Sequence, residues 1–385
     1  MLIMDISIRL SNMGNVVTDN AKIRRERRHK EIMEKLKARE WYSLKSVLGY
    51  SWAIFYFLLG GREAGKSYAT TRFFVSQWKR YGRPFIWLRL SETSAKKLLT
   101  NNAEKLIDPD IRRQFNLDLT TNGNNVYEIV KRSKADSKGR TKILEKKLMC
   151  RVFSIATFYN DKGSGLFDKD FLLDPKMYYN ICLDEMNREK SEKNSFDIVY
   201  SFTNQLENLV RSTKTRLRII CIGNTLEEAS DLLCAFNFIP EEFGRYKLKK
   251  KRAVVEYIEP TEAYLERRKG TVADILMPNA STFTNKIDTD NSLVWKGRCK
   301  TPLQVIKFSK DQSDWFTLWE NNVIAQYNNE QKSAIAMRPY LDEIFEPKLM
   351  AQVIQTFDYR GYKFKDLITF KKFQKGVALL KPRGN

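Results

Sequence analysis

The chain has 385 residues, 42% of them hydrophobic and 12% aromatic, which suits two cored domains and excludes a disordered chain. Its formal charge of +22 points to a polyanionic partner, and its longest apolar run, WAIFYFLL at 52–59, is far short of the roughly 20 residues of a spanning helix, so no membrane partner is expected. Five cysteines with no C-x-x-C spacing exclude a zinc ribbon and argue against a disulfide framework, and a single histidine, His29, excludes histidine catalysis.

What remains for catalysis is carboxylate, lysine, arginine and a bound metal, in a chain suited to a reducing cytosol. The N-terminal MLIMDISIRLSNMG has an acid at position 5 and no apolar h-region, so no signal peptide is expected. Residues 21–40 hold nine Lys/Arg against four Glu with a thin stripe of Ile32, Met33 and Leu36. They read as a charged helix, either solvated or set against nucleic acid or a neighbour.

From 52 to 223 short apolar runs alternate with helical stretches, the pattern of a mostly parallel α/β sheet. The expected strands are 52–59, 85–90, 152–158, 178–183 and 217–223. A helix is expected from Ser67 to Gly82. Between these, 126–153 reads as a hairpin turning at Asp136-Ser137-Lys138-Gly139, and its 131–147 portion carries eight Lys/Arg against two acids. After RYKLKKKR (245–252) the alternation fades. The expected organisation is a basic N-terminal extension (1–48), a main α/β domain (49–245), a connector (246–290) and a smaller basic α+β domain (291–385). Strands at PLQVIKFS and DWFTLWEN and a helix at EPKLMAQVIQTF belong to the last.

Within the first strand–helix junction, GGREAGKSY matches the phosphate-binding pattern G-x-x-x-x-G-K-[ST]. Gly60 and Gly65 let backbone N–H groups turn inward around a β-phosphate, and the segment Gly61, Arg62, Glu63, Ala64 lines the turn. The helix beyond presents its positive end through Lys66, Ser67 and Tyr68. Lys66 neutralises the β/γ charge and Ser67 ligates Mg²⁺, which implies ATP with Mg²⁺ as cofactors. Glu63, an acid in a phosphate cradle, is expected to point away. A chance match is disfavoured because an apolar strand precedes the loop and a helix follows it.

The run YYNICLDEM ends a strand on Asp184-Glu185. Asp184 suits the metal-holding Walker B position and Glu185 the polarisation of the attacking water, the pairing of ATPases with an extra strand between the two motifs. LRIICIGNT ends on Gly223-Asn224, where Asn224 is either a γ-phosphate sensor or a turn residue. The helical stretch before it ends on Arg211, Lys214, Arg216 and Arg218, cations that either answer the helix dipole or supply an arginine finger to a neighbouring subunit.

GGREAGKSYA, PFIWLRL, NICLDEMNREK and LENLVRSTKTRLRIICIGN together resemble the genome-encapsidation ATPases of small tailed phages, the podovirus DNA-packaging motors. The likeness is close over 50–245 and looser beyond, where EPKLMAQVIQTFDYRGYKFKDLITF is similar to the end of those proteins. It implies an additional-strand, RecA-like P-loop fold with a C-terminal domain resembling a degenerate RNase H-like fold. It implies a ring, pentameric on the capsid portal, that hydrolyses ATP to drive double-stranded DNA into a procapsid, with a packaging RNA in one branch. The location implied is the host cytoplasm and, transiently, the portal vertex, not the mature virion. Carried over by position, Lys66 and Ser67 bind phosphate and metal, Asp184 is Walker B, Glu185 is catalytic, and Arg211 acts in trans with Lys214 as its rival. Lys162, in the loop YNDKGSG, falls near a second trans contact.

The chain departs from the shortest members in its N-terminal extension and its long basic hairpin. Asp311, Asp314, Asp342, Glu343, Asp358 and Asp366 are scattered, so nuclease activity is not expected. Two further functions compete with packaging. A helicase or DNA-transfer translocase would be stimulated by single strands, and a basic scaffold with a dead nucleotide site would turn over no ATP.

Overall fold

The computed structural model describes residues 24, 27, 41–135, 140–160, 178–187, 197–210, 216–224, 230–276, 293–308, 316–326, 342–344 and 347–380. In chain order the first part contains α1 (Lys45–Leu48), β1 (Phe55–Leu59), α2 (Lys66–Tyr81), β2 (Phe85–Arg89), α3 (Glu92–Ala103), α4 (Pro109–Phe115), β3 (Leu119–Asn122), β4 (Asn125–Arg132), β5 (Ile143–Ser154) and α5 (Ile155–Asn160). It continues with β6 (Tyr178–Asp184), α6 (Ile198–Val210), β7 (Arg216–Gly223), α7 (Asp231–Ala235), β8 (Gly244–Leu248), β9 (Ala253–Tyr257), α8 (Glu262–Arg268) and α9 (Val272–Leu276).

Nine strands form one sheet in the order β3-β4-β5-β2-β6-β7-β1-β9-β8. The six inner strands, β5 to β9 in that order, run parallel, and β3, β4 and β8 add antiparallel edges. A parallel sheet buried on both faces needs apolar residues at consecutive positions, which β1 supplies. Tyr56 and Leu58 enter the core under α2, with Phe74, Val75 and Trp78, while Phe57 and Leu59 enter the opposite core with Phe202, Leu206 and Leu233. Each such fully buried side chain contributes about 1.5–3 kcal/mol. Helix α2 stops at Gly82, whose φ of 70° closes the last turn through its N–H to the Trp78 carbonyl at 2.7 Å.

The extra strand expected between the two nucleotide motifs is β7, which separates β1 from β6. Three expectations are corrected. The first strand begins at Phe55, because Ala53 N–H bonds the Tyr50 carbonyl in a turn that occupies Ser51 and Trp52. The 152–158 run is not one strand: Ser154 Oγ accepts the Thr157 N–H at 3.0 Å and starts α5, a cap hidden in an apolar run. The sheet does not end at 245. The lysine-rich turn at 249–251 and Arg252, at φ 49°, reverse the chain so that β9 pairs with both β8 and β1.

The hairpin expected at 126–153 is β4–β5, with its 136–139 turn outside the described residues. Of the basic helix expected at 21–40 only Arg24 and Arg27 are described, both helical.

A second sheet follows, from β10 (Pro302–Ile306), β11 (Phe316–Trp319), β12 (Val323–Gln326), β13 (Asp342–Ile344) and β14 (Lys363–Phe364), with α10 (Pro347–Asp358) and α11 (Leu367–Leu380). Its order is β13-β10-β11-β12-β14. Strands β10, β11 and β12 are antiparallel, with β13 parallel to β10 and β14 parallel to β12. Phe308, Phe316, Phe364 and Phe373 fill its core. Helix α11 meets the first sheet's layer, where Lys375 Nζ bonds Asp197 Oδ2 at 2.9 Å just before α6.

Candidate active site

The turn after β1 is held by its neighbours before any ligand is considered. The Gly60 N–H bonds the Gly223 carbonyl at 3.3 Å, and a Cβ at Gly60 would lie 3.1 Å from that of Ile258. Gly65, at φ 87°, caps α2 in the left-handed region that glycine tolerates best. Glu63 takes a φ of 62° and is exposed.

Lys66 opens α2 with its side chain buried. Its ammonium donates to the carbonyls of Gly60 at 2.8 Å and Gly61 at 2.6 Å. Burial lowers its pKa to about 8, against the opposing pull of Asp184. An amine so placed is cationic at neutral pH, and its pKa would rise beside an anion.

Because β7 and β1 end in register beside β6, the tip of β6 sits at the same sheet edge. Asp184 is buried there, and its Oδ1 accepts from Ser67 Oγ at 3.0 Å. Burial pushes its carboxyl above the usual range and Glu185 adds to the push, while Arg89, Ser67 and Lys66 oppose it. Glu185 follows at φ 56° with its side chain half exposed. The Met186 N–H bonds the Ile222 carbonyl, and Asn187 Nδ2 bonds the Asn224 carbonyl at 2.9 Å, which ties this turn to the end of β7. Asn224 therefore lies between the loop and the Asp184-Glu185 pair.

Sequence reasoning missed Arg89. It ends β2, next to β6, and pairs with Asp184 Oδ2 at 2.8 Å and also with Glu185. The available signal was a charged last residue on an otherwise apolar strand, FIWLR. A second missed group grips the loop from outside. Tyr264 Oη donates to the Arg62 carbonyl at 2.9 Å, Arg268 to the same carbonyl at 3.3 Å, and Arg267 to the Glu63 carbonyl at 2.7 Å. All three lie on α8, some 200 positions away, so no local pattern announces them. Arg267 also stacks 3.8 Å from the Trp41 ring, which packs against Gly65, and the Tyr42 N–H bonds the Ala64 carbonyl at 2.9 Å.

The structure thus brings together Gly60, Gly61, Gly65, Lys66, Ser67, Asp184, Glu185 and Asn224, with Arg62, Glu63 and Ala64 on the loop and Tyr68 exposed on the first turn of α2. Arg211, Lys214 and Lys162 lie outside the described residues. Arg218 is on β7 but five residues before the loop end, about 17 Å along the strand, and donates to Asn180 Oδ1 at 3.2 Å. It is no partner of this site within one subunit.

Residues 33–358 match the sequence profile of a family described as podovirus DNA encapsidation protein (Gp16). A DNA packaging protein of Bacillus phage phi29 is 23% identical over 281 residues, 73% of this chain and 73% of that protein. Among solved structures, the Phi-28 gp11 DNA packaging motor aligns with a TM-score of 0.58 at 14% identity, over 90% of this chain and 100% of its own. The bacteriophage Phi-29 genome packaging motor assembly aligns at 0.54 and 18% identity, over 88% and 100%.

Proposed function

Because the chain belongs to the podovirus DNA encapsidation family, we propose that it is an ATP-hydrolysing motor that moves double-stranded DNA into a viral procapsid. The observation that carries this reading is the convergence of Lys66, Ser67, Asp184 and Glu185 on one sheet edge, at the positions a P-loop ATPase of the additional-strand type requires. Mg²⁺ and ATP fit these residues. Ser67 Oγ and Asp184 Oδ1, the two atoms expected on the metal, are already adjacent, and the cradle lacks Cβ atoms at Gly60, Gly61 and Gly65.

When bound, Mg²⁺·ATP supplies the γ-phosphoryl electrophile and the cation that neutralises its developing charge. The Lys66 ammonium, held on the Gly60 and Gly61 carbonyls, would neutralise the β/γ charge, and Ser67 and Asp184 would hold the metal. Glu185 orients and polarises the attacking water, and Asn224 senses the γ-phosphate. Arg89 pairs with both carboxylates and holds them in place in the nucleotide-free protein. Arg211 of a neighbouring subunit approaches the γ-phosphate as a finger, with Lys214 and Lys162 as further trans candidates. This arrangement needs a homo-oligomeric ring, taken as a pentamer at the portal vertex, with a packaging RNA as a further partner. The second sheet, a three-stranded antiparallel meander with β13 parallel to its first strand, supports an RNase H-like ancestry, and no nuclease role is proposed for it.

The test is ATP turnover with and without duplex DNA. Stimulation by duplex DNA supports the motor, and turnover stimulated only by single strands would move the chain to the helicases.

A further inference from the structure

The β4–β5 hairpin is longer than the sheet that carries it. Strand β3 covers β4 only over 125–128, and β2 covers β5 only over 150–154. Beyond Ile129, whose N–H bonds the Asp118 carbonyl, the two strands pair with each other alone. Pairing continues as far as Ser133 and Lys142, where the Ser133 N–H bonds the Lys142 carbonyl at 2.8 Å and the Lys142 N–H bonds Ser133 Oγ at 2.9 Å. A free two-stranded arm therefore projects from the sheet by about 15 Å at the usual rise per residue.

The composition of this arm is one-sided. Residues 131–147 hold eight Lys/Arg against two acids. Every described residue from Val130 to Lys147 is exposed except Ser133. Arg132 is committed to Asp118, and Lys146 lies 4.2 Å from the Tyr127 ring. No ion pair among the described residues engages Lys131, Lys134 or Lys142. Val130, Ile143 and Leu144 are exposed among these cations at 53%, 41% and 59%. Ile143 and Leu144 are consecutive on β5 and so face opposite sides of the ribbon, which leaves apolar surface among the cations on both of its faces.

Position matters as well. Strand β5 runs parallel to β2 with Ser154 beside Arg89, so its C-terminal end is at the nucleotide edge and the arm leaves the opposite edge. Contact through the arm would leave the hydrolytic residues untouched.

Resting on the translocase reading above, we infer that this arm is a duplex-DNA contact, seated in the major groove with Lys131, Lys134 and Lys142 on the phosphates. Two strands about 4.8 Å apart form a ribbon that a B-form major groove about 12 Å wide admits. The deep, narrow major groove of A-form RNA does not. The cations bind the phosphate walls without regard to sequence, and the apolar side chains on the seated face pack against sugars.

The experiment uses the full chain and compares wild type with the triple variant Lys131→Ala, Lys134→Ala, Lys142→Ala and with the matching triple Lys→Arg variant. Binding to a labelled duplex of arbitrary sequence is followed by fluorescence anisotropy across a salt series, with an RNA duplex in parallel. If each lysine neutralises one phosphate, the slope of log K against log salt falls in magnitude by about 2.7 in the alanine variant, at about 0.9 per phosphate. The arginine variant keeps the wild-type slope, DNA-independent ATP turnover is unchanged in both, and the alanine substitutions weaken RNA-duplex binding less than DNA binding. Unchanged DNA affinity and slope in the alanine variant, with wild-type binding intact, would overturn the arm's role while leaving the translocase reading standing. Loss of ring assembly at unchanged DNA affinity would also overturn it and assign the arm to a neighbouring subunit. If the wild-type chain binds no duplex DNA, the translocase reading itself falls, and the arm's role with it.

Discussion

Removing Arg89 should unbalance the carboxylate pair in a way that depends on pH and metal. In Arg89→Ala, Asp184 stays buried and keeps only Ser67 Oγ and the more distant Lys66 ammonium as counterweights. The Arg89 side chain is 14% exposed and that of Asp184 is 4%, so the pair is nearly dry. Breaking a buried pair by deleting one partner costs about 3–5 kcal/mol, and the residual exposure of Arg89 argues for about 3. Burial already raises the Asp184 carboxyl above its unfolded value, and losing the guanidinium raises it further. A carboxyl raised on folding binds protons more readily in the native state, so its folded state gains stability as pH falls through that raised pKa toward the unfolded value. The deficit of the variant relative to wild type should therefore be largest at neutral pH and shrink in mild acid. Mg²⁺ should stabilise the variant more than wild type, because it replaces the missing positive charge. Urea denaturation followed by tryptophan fluorescence at two pH values, with and without Mg²⁺, measures both effects; Trp78 and Trp87 lie in the core beside this strand. A deficit that is the same at both pH values and insensitive to Mg²⁺ would refute the assignment and leave Arg89 a packing residue.

Lys66→Ala should nearly abolish ATP turnover, whereas Glu185→Gln should retain nucleotide binding and lose hydrolysis; wild-type steady-state rates in Glu185→Gln would place the water-activating group elsewhere. Tyr264→Phe with Arg267→Ala, which releases the Glu63 carbonyl and leaves the Arg62 carbonyl to Arg268 alone, should weaken ATP binding with a smaller effect on turnover at saturation, and equilibrium titration with a fluorescent nucleotide measures it. Arg211→Ala should slow hydrolysis by roughly 10³- to 10⁵-fold, with lysine a poor substitute. Rings mixed from Arg211→Ala and Glu185→Ala subunits should regain activity, since each supplies what the other lacks, and mixed rings that stay inactive would shift attention to Lys214 and Lys162.

The candidate site was legible wherever its parts were local in sequence. Loop spacing, strand ends and the Gly82 stop are each set by residues within a few positions, and backbone sterics allow few alternatives. Arg89 was half legible, since its position followed from the strand but its partners depended on strand order. The grip of Tyr264, Arg267 and Arg268 on the loop was not legible, because it joins segments some 200 residues apart. The sheet's far edge was misjudged for a related reason. A lysine-rich turn between β8 and β9 looked like the end of a domain, and only the pairing of β9 with β1 makes it an interior reversal. Ser154 shows the remaining ambiguity, where an apolar run hid a capping serine and a change from strand to helix.

The central claim is tested most directly by packaging itself. Purified chain is combined with DNA-free procapsids bearing their portal, linear duplex DNA and ATP, and DNA that resists added nuclease is then quantified. The motor reading predicts full-length protected duplex with wild type and ATP, and none with Lys66→Ala or without ATP. Wild-type chain that hydrolyses ATP on DNA in the same mixture yet protects none of it would contradict the account.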